Sequence, residues 1–210
     1  MNIDTLLTTT RSVRRKLDLD RPVEPELLAE CLRTAQQAPF AGAFVESFRW
    51  LVVTDQETKE QLAHLIRAGG EKSQAEYGHL VSPRTLASGR HLLAVLERIP
   101  VYVIACMHGR PGGDNATQTA FYGSAYPAVW SLQLALRARG LGSTIIGYHL
   151  GEHESDTARI LGIPDDVTQV AMLAIGYTTT DKFHPAPRPP LAEITYYNRW
   201  GATEQPVVSS

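Results

Sequence analysis

The sequence has few of the features that stabilise secreted or membrane-embedded proteins. Its 210 residues include only two cysteines, Cys31 and Cys106, too few for a disulfide framework. Both lie in apolar patterns, and we interpret them as buried side chains rather than catalytic thiols. No apolar stretch approaches the roughly 18 residues of a transmembrane helix. The N-terminus lacks the charged and apolar regions of a signal peptide. We therefore expect a cytoplasmic protein without membrane association.

Several further signals are missing. The net charge of −2 argues against a broad nucleic-acid surface. No Gly-x-Gly-x-x-Gly sequence follows an expected strand, so a Rossmann dinucleotide site is not indicated. His149 and His153 are four residues apart, but Gly151 and an expected helix start lie between them. We therefore expect no metal site, and no Ser-His-Asp grouping indicates a catalytic side chain.

Ordinary apolar and charged contents, 43% and 20%, indicate one globular domain over residues 1–210. We expect Gly69–Gly70 to end the third helix and Ser82–Pro83 to interrupt the fourth helical stretch. Helical periodicity predicts helices over 3–9, 25–39, 56–67, 71–99, 117–139 and 152–161. Strand patterns cover 48–54, 101–107 and 167–177, and residues 144–148 form either a strand or a loop.

Two regions of the sequence indicate a second subunit. The predicted helix 117–139 is apolar on nearly every face between Ala125 and Leu136, so it needs cover on all sides. A chain of this size rarely provides such cover alone, and we expect a partner subunit to supply it. The proline-rich residues 181–210 preclude a helix or central strand and form an extended arm. Aromatic residues between Tyr196 and Trp200 would anchor this arm.

Three groups of residues are candidates for ligand binding. Arg11, Ser12, Arg14 and Arg15 lie within five positions, and guanidinium and hydroxyl groups suit a phosphate. A solvated charged loop is the plainer interpretation of this cluster. Glycines within 140–147 allow backbone to approach a flat ligand, although the first can simply end a helix. Arg188 lies on the stiff arm, where it either reaches a phosphate or remains solvated.

In their order along the chain, these elements resemble the nitroreductase family. Arg-Ser-Val-Arg at 11–14, a helix ending in Ala38-Pro39 and a strand ending in Val53-Thr54-Asp55 resemble the start of that family. Residues 127–143 are similar to its central helix and flavin-contacting turn. Leu-Gly-Ile-Pro at 161–164, Ile-Gly-Tyr at 175–177 and the arm from Arg188 match the later elements. The resemblance covers nearly the whole chain.

The resemblance implies an α+β fold in which helices flank a mixed sheet of about four or five strands. It implies a homodimer that exchanges the C-terminal arms and binds FMN at the subunit interface. Arg11, Ser12 and Arg14 would contact the phosphate, the ribityl chain or the N1/O2 edge, with Arg15 as a neighbour and Arg188 as a further phosphate contact. Backbone at Ile145, Ile146 and Gly147 would face the isoalloxazine and include a donor near N5.

The implied activity passes a hydride from NAD(P)H through flavin N5 to a small-molecule acceptor, such as a nitro compound or quinone, with ping-pong kinetics.

Two departures from the family pattern leave alternatives open. Thr10 stands where the family often has arginine, and residues 40–47 lack the usual polar side chains. We interpret Phe40 and Phe44 as substrate-binding, although packing is the plainer role of a loop aromatic such as Phe44. A flavin-dependent oxidase or dehydrogenase of a dedicated metabolite is one alternative. A non-enzymatic flavin-sequestering protein, covered by residues 71–99, is another.

Overall fold

A computed structural model describes residues 1–203 of the chain and confirms the α+β fold class. Its helices and strands largely follow the predicted order. The α-helices are α1 (Ile3–Thr9), α2 (Pro25–Ala35), α3 (Gln56–Tyr77), α4 (Pro83–Ala94), α5 (Asn115–Ala138) and α6 (Glu154–Leu161). The strands are β1 (Phe48–Val53), β2 (Val101–His108), β3 (Leu141–Ile146) and β4 (Val167–Tyr177).

The four strands form one sheet in the order β1-β2-β4-β3. All three strand pairs are antiparallel. The sheet is therefore antiparallel, whereas a mixed sheet was expected. Within the described residues, parallel pairing occurs only at two isolated bridges, Ser12 with Ser143 and Gly109 with Val167. The first of these bridges attaches the N-terminal segment to the edge of the sheet.

Both faces of the sheet are covered by helices. Val101, Val103, Ala105 and Met107 of β2 join the core beneath α2 and α5. The alternate residues, including Cys106, join a second core with α3 and α4. This alternation follows from the period of two along a strand. Both cysteines are buried, as interpreted, and burial raises the pKa of the Cys106 thiol to about 11.

Helix α3 differs from its prediction at the C-terminal end. Asp55 caps its start by accepting from the Thr58 backbone, as expected. The helix then continues through Gly69–Gly70 to Tyr77, so the predicted break there is wrong. A Cβ at Gly70 would lie 2.6 Å from Cδ2 of Leu93, and one at Gly69 would collide with the Tyr148 carbonyl. These glycines permit close packing against α4 and the loop after β3.

Gly70→Ala should destabilise the fold although it places a better helix former in α3. The gain in helix propensity is about 0.5–1 kcal/mol, whereas overpacking a core costs roughly 1–3 kcal/mol. We therefore expect a lower free energy of unfolding in urea titrations. Gly89→Ala in α4 is the matched control, because its Cβ would meet only the flexible end of Gln74 at 3.2 Å. Equal stability of the two variants would contradict the close-packing role of Gly70.

The apolar helix α5 is largely buried by its own chain. Tyr126 and Trp130 are the exceptions among its large central side chains, with exposed fractions of 44% and 41%.

Residues 181–203 contain no α-helix or β-strand, as predicted for the arm, while 204–210 lie outside the described residues. Leu191 and Trp200 of the arm are 73% and 92% exposed. Arm exchange and dimer formation therefore remain predictions. None of the helices within 1–203 has the length and apolarity needed to cross a bilayer.

Candidate functional site

The N-terminal basic segment, residues 11–16, lies along the β3 edge of the sheet. The Val13 N–H donates to the Ser143 carbonyl over 2.9 Å, next to the Ser12–Ser143 bridge. Farther along, the Asp18 N–H donates to the Tyr177 carbonyl over 2.7 Å. Val13 and Leu17 are buried in the second core. Backbone pairing and these two apolar side chains thus fix the segment, while its arginines remain at least partly exposed.

Gly142 allows the basic segment to approach β3 closely. A Cβ at this position would lie 2.7 Å from Cγ2 of Thr178 and 2.9 Å from Cβ of Val13. On the next residue, the Ser143 hydroxyl accepts from Nε2 of Gln133 in α5 over 3.2 Å. From the sequence, we expect the glycines of this stretch to let the backbone lie close to a flat ligand. At Gly142 the approaching group is the chain's own N-terminal segment.

A cavity of about 900 Å³ opens beside the basic segment. Its walls come from three parts of the chain: the segment itself, one face of α4 and the beginning of the arm. The predicted phosphate-contacting residues Arg11, Ser12, Arg14 and Arg15 all line it. The structure therefore brings these four residues together, at the mouth of a space large enough for a small-molecule ligand.

The lining of this cavity is strongly cationic. It includes no Asp or Glu, although the whole chain carries a net charge of −2. None of its Arg or Lys side chains forms an ion pair with a carboxylate of residues 1–203. Unneutralised guanidinium groups beside a serine hydroxyl favour a phosphorylated ligand. This donor set fits the FMN phosphate that the resemblance implies. The six cations are Arg11, Arg14, Arg15, Lys16, Arg84 and Lys182.

The end of β3 carries the second predicted group. Ile146 is buried in the second core, whereas Ile145 is 39% exposed and Gly147 is exposed. The chain then turns, with the Leu150 N–H donating to the Gly147 carbonyl over 3.0 Å. Tyr148, which directly follows Gly147, lines a smaller cavity of about 130 Å³ together with Arg14. Arg14 thus lies between the main cavity and the loop that follows β3.

Arg188 lies beside the main cavity but is not part of its lining. Pro187 contributes to the wall, while the Arg188 guanidinium donates to the Pro187 carbonyl over 3.3 Å. The start of the arm is fixed by Arg137 of α5, which the sequence interpretation missed. Buried Arg137 donates to the Asp181 carbonyl over 3.4 Å and lies 4.3 Å from the ring centroid of Phe183. Phe183 in turn lines the cavity.

Phe40 and Phe44 lie in an aromatic network away from the cationic cavity. Phe40 packs edge-on against Phe48 at 5.1 Å between ring centroids, and Phe44 packs against Phe121 of α5 at 5.5 Å. Phe44 and Phe48 pack on the α2–α5 core, and neither Phe40 nor Phe44 lines the main cavity. Within one chain, the structure therefore does not bring the predicted substrate-binding residues to the phosphate-contacting residues.

The wall that α4 contributes to the cavity was also not predicted from the sequence. Arg84, Ser88 and His91 line the cavity from this helix. Their spacing of four and three residues places them on one helical face. That spacing is visible in the sequence and would have identified the face. The sequence interpretation considered residues 71–99 only as a cover.

His149, in the loop after β3, is fully buried, and neither ring nitrogen has a hydrogen-bond partner within residues 1–203. Desolvation lowers the pKa of His149 to about 4, so the ring is neutral in the folded protein. No group of three or more potential metal ligands occurs among the described residues. The burial of His149 therefore makes it an acid-sensitive element of the fold.

Acidification from about pH 6.5 to 4 should destabilise the protein through His149. In this window the His149 imidazole binds a proton in the unfolded chain but not in the folded chain. The free energy of unfolding therefore decreases as the pH is lowered. One such group contributes a slope of at most about 1.4 kcal/mol per pH unit. His149→Gln should flatten the measured stability profile, whereas His64→Gln, at an exposed position, should not. Identical slopes in all three proteins would show that His149 does not titrate in this way.

Comparisons with known proteins agree on one family and one fold. The family model described as the nitroreductase family matches residues 7–177. Three solved structures illustrate the fold. An FMN-dependent nitroreductase from Clostridium difficile is 21% identical, with 94% of this chain and 100% of that chain covered and a TM-score of 0.68. An FMN- and NADPH-dependent nitroreductase from a Sphingopyxis strain is 24% identical, with 94% and 99% covered and a TM-score of 0.69. An iodotyrosine deiodinase bound to FMN and 3-iodo-L-tyrosine is 20% identical, with 94% and 99% covered and a TM-score of 0.69.

Proposed function

The chain belongs to the nitroreductase family, and from this premise we propose that it is a cytoplasmic FMN-dependent oxidoreductase. It passes reducing equivalents from NAD(P)H to a small-molecule acceptor such as a nitro compound or quinone. The observation that carries the proposal is the cavity of about 900 Å³ whose Arg and Lys side chains have no carboxylate partner within residues 1–203. The FMN-dependent nitroreductase with the same fold supports the choice of cofactor.

The basic segment holds the phosphate in this proposal. Arg11 and Arg14 donate charge-assisted hydrogen bonds to phosphate oxygens, Ser12 adds a hydroxyl, and Arg15 supplies a neighbouring charge. A guanidinium from the same group stabilises negative charge at the N1/O2 edge. Because Val13 and Leu17 are anchored in the core, the donors are held in place before the ligand arrives.

The backbone of Ile145, Ile146 and Gly147 faces the flavin ring in this proposal. When bound there, FMN would supply the hydride-transfer chemistry at its N5 atom. The protein's part is to bind and orient the ring and to exclude competing water. No side chain of the lining needs to act as a general acid or base, because solvent supplies the protons.

The functional unit that we propose is a homodimer with exchanged arms. Exposed Tyr126 and Trp130 on α5 provide an apolar face for a second copy, and exposed Leu191 and Trp200 provide apolar contacts for the arm. In this arrangement Arg188 reaches a phosphate, and the Phe40–Phe44 segment meets the cavity of the other protomer. Sedimentation should give a dimer for the full chain and a weaker dimer for Trp130→Asp. Sedimentation as a monomer at all concentrations would oppose this proposal.

The first experiment is to purify the protein and record its visible spectrum. We expect a yellow protein with about one FMN per chain. Anaerobic NAD(P)H should bleach the flavin bands, and a quinone or nitroaromatic compound should restore them. Initial rates at varied donor and acceptor should give the parallel lines of ping-pong kinetics. A protein that binds no FMN, even when FMN is added in excess, would exclude the proposed function.

The aromatic network favours one rival function. An apolar segment around Phe40 and Phe44 suits a dedicated, largely apolar metabolite that the flavin oxidises, with O₂ as the final acceptor. Under anaerobic conditions such an oxidase would remain yellow with NAD(P)H, whereas the proposed reductase would bleach. A protein that holds FMN but exchanges electrons with no donor or acceptor would instead be a flavin-sequestering protein.

A further inference from the structure

One face of α4 presents polar groups to the main cavity. Arg84, Ser88 and His91 line this space, and Arg84 forms no ion pair with a carboxylate of residues 1–203. Leu93 on the opposite face of the same helix and Leu92 on its flank are buried in the second core. The side chains on the cavity face are therefore carried by a fixed element.

The start of α4 is fixed as well. The Ser82 side chain accepts from the Thr85 N–H over 3.2 Å and so caps the helix two residues before Arg84. Lys182 and His184 line the same cavity from the arm, whose beginning Arg137 holds through the Asp181 carbonyl. Two independent walls, α4 and the arm, thus carry positive or polar groups toward one space.

The cavity contains more positive charge than one phosphate requires. A phosphate monoester carries about −1.5 to −2 at neutral pH. Arg11, Arg14 and Arg15 of the basic segment already match this charge. Lys16 remains on the basic segment itself, and Arg84 and Lys182 remain on walls other than the one assigned to the FMN phosphate. FMN has a single strongly anionic group, so Arg84 and Lys182 are available to an anionic group of another ligand.

We propose that Arg84, with Ser88 and His91 on α4 and Lys182 on the arm, forms an anion subsite for the molecule that exchanges electrons with the flavin. The subsite takes a phosphate or carboxylate group through charge-assisted hydrogen bonds. This inference rests on the proposed function and specifies its substrate class. The anionic group belongs either to the donor, as the 2′-phosphate of NADPH, or to an acceptor with a carboxylate.

Charge then governs the choice of substrate. An anionic ligand gains charge-assisted contacts at this wall, whereas its neutral analogue leaves Arg84 solvated. Hydrogen bonds to charged groups contribute more than neutral ones, so losing Arg84 should weaken binding of the anionic member about 10-fold or more. The neutral member of the same pair should bind unchanged. This difference separates an anion subsite from a purely structural role of α4.

The test compares Arg84→Gln with the wild-type holoprotein on two matched ligand pairs. NADPH against NADH examines the donor, and 4-nitrobenzoate against 4-nitrobenzamide examines the acceptor. We expect KM for the anionic member of one pair to rise about 10-fold or more, with kcat nearly unchanged. Arg84→Lys should restore much of the loss. Arg90→Gln is the matched control, because Arg90 is an exposed α4 arginine that lines a different cavity.

Equilibrium binding gives a second readout that does not depend on turnover. NADP⁺, NAD⁺ and the two nitro compounds are titrated calorimetrically into the oxidised wild-type and variant proteins. Weaker binding of NADP⁺ alone assigns the subsite to the donor, and weaker binding of 4-nitrobenzoate alone assigns it to the acceptor. The proposal would be overturned if Arg84→Gln weakened binding of the charged and neutral members equally, or if it changed the binding of neither pair. If the purified chain binds no FMN, the proposed function fails, whereas the same calorimetric comparison still decides the anion subsite.

Discussion

Replacing Arg11 and Arg14 together with alanine should yield a folded protein that purifies without FMN. Both side chains line the main cavity, and neither is neutralised by a carboxylate of residues 1–203. Each hydrogen bond to a charged group contributes about 1.5–3 kcal/mol, so losing two should weaken FMN binding at least about 100-fold. Absorbance after gel filtration measures retained flavin, and fluorescence quenching of added FMN gives Kd.

The fold should survive this double substitution. Val13 and Leu17, not the arginines, pack the segment into the core, so thermal unfolding should change little. Arg33→Ala combined with Arg90→Ala is the matched control, since it removes two exposed positive charges at positions outside the cavity. We expect this control to remain yellow. If the Arg11 and Arg14 variant also binds FMN with unchanged affinity, the phosphate is held elsewhere.

Gly142→Ala should reduce the stability of the fold and its flavin content together. The added Cβ would lie 2.9 Å from Cβ of Val13 and 2.7 Å from Cγ2 of Thr178, on a backbone fixed by sheet pairing. Overpacking of this kind costs about 1–3 kcal/mol. Any relief requires moving the basic segment away from β3, which displaces its arginines from the cavity. Urea unfolding and the ratio of flavin to protein absorbance measure the two effects.

Gly113→Ala is the corresponding control, because no atom lies within 4 Å of its added Cβ and its backbone φ lies outside the left-handed region. Its stability should remain within about 0.5 kcal/mol of the wild type. A stable, fully yellow Gly142→Ala protein would show that the basic segment does not depend on close approach to β3. Loss of stability with full retention of FMN would separate the packing role of Gly142 from ligand binding.

Local patterns were sufficient to predict most of the secondary structure. The strand pattern at 167–177 coincides with β4, and Asp55 caps α3 as its position before a helical run indicated. The predicted break at Gly69–Gly70 failed because glycine also serves where two elements pack closely. The sequence does not distinguish a helix-ending glycine from a close-packing one, because the difference depends on Tyr148 and Leu93, which are distant in the chain.

The candidate site was predictable only in part. The cluster at 11–15 identified one wall of the cavity, because several guanidinium groups in sequence are informative by themselves. The Ser12–Ser143 bridge and the position of α4 depend on contacts between distant segments, which no local pattern encodes. Arg137 was overlooked because a single arginine in an apolar helix gives no indication that it holds the arm by the Asp181 carbonyl.

Attachment of the basic segment to β3 and β4 also determines when the site can form during synthesis. The ribosome makes residues 11–18 well before their partners Ser143, Tyr177 and Thr178. Contacts between such distant segments form late and slow folding. The proposed flavin site therefore cannot form in a nascent polypeptide until β4 has been made. Ribosome-stalled chains that end before β4 should capture no flavin, and released chains should acquire it after folding.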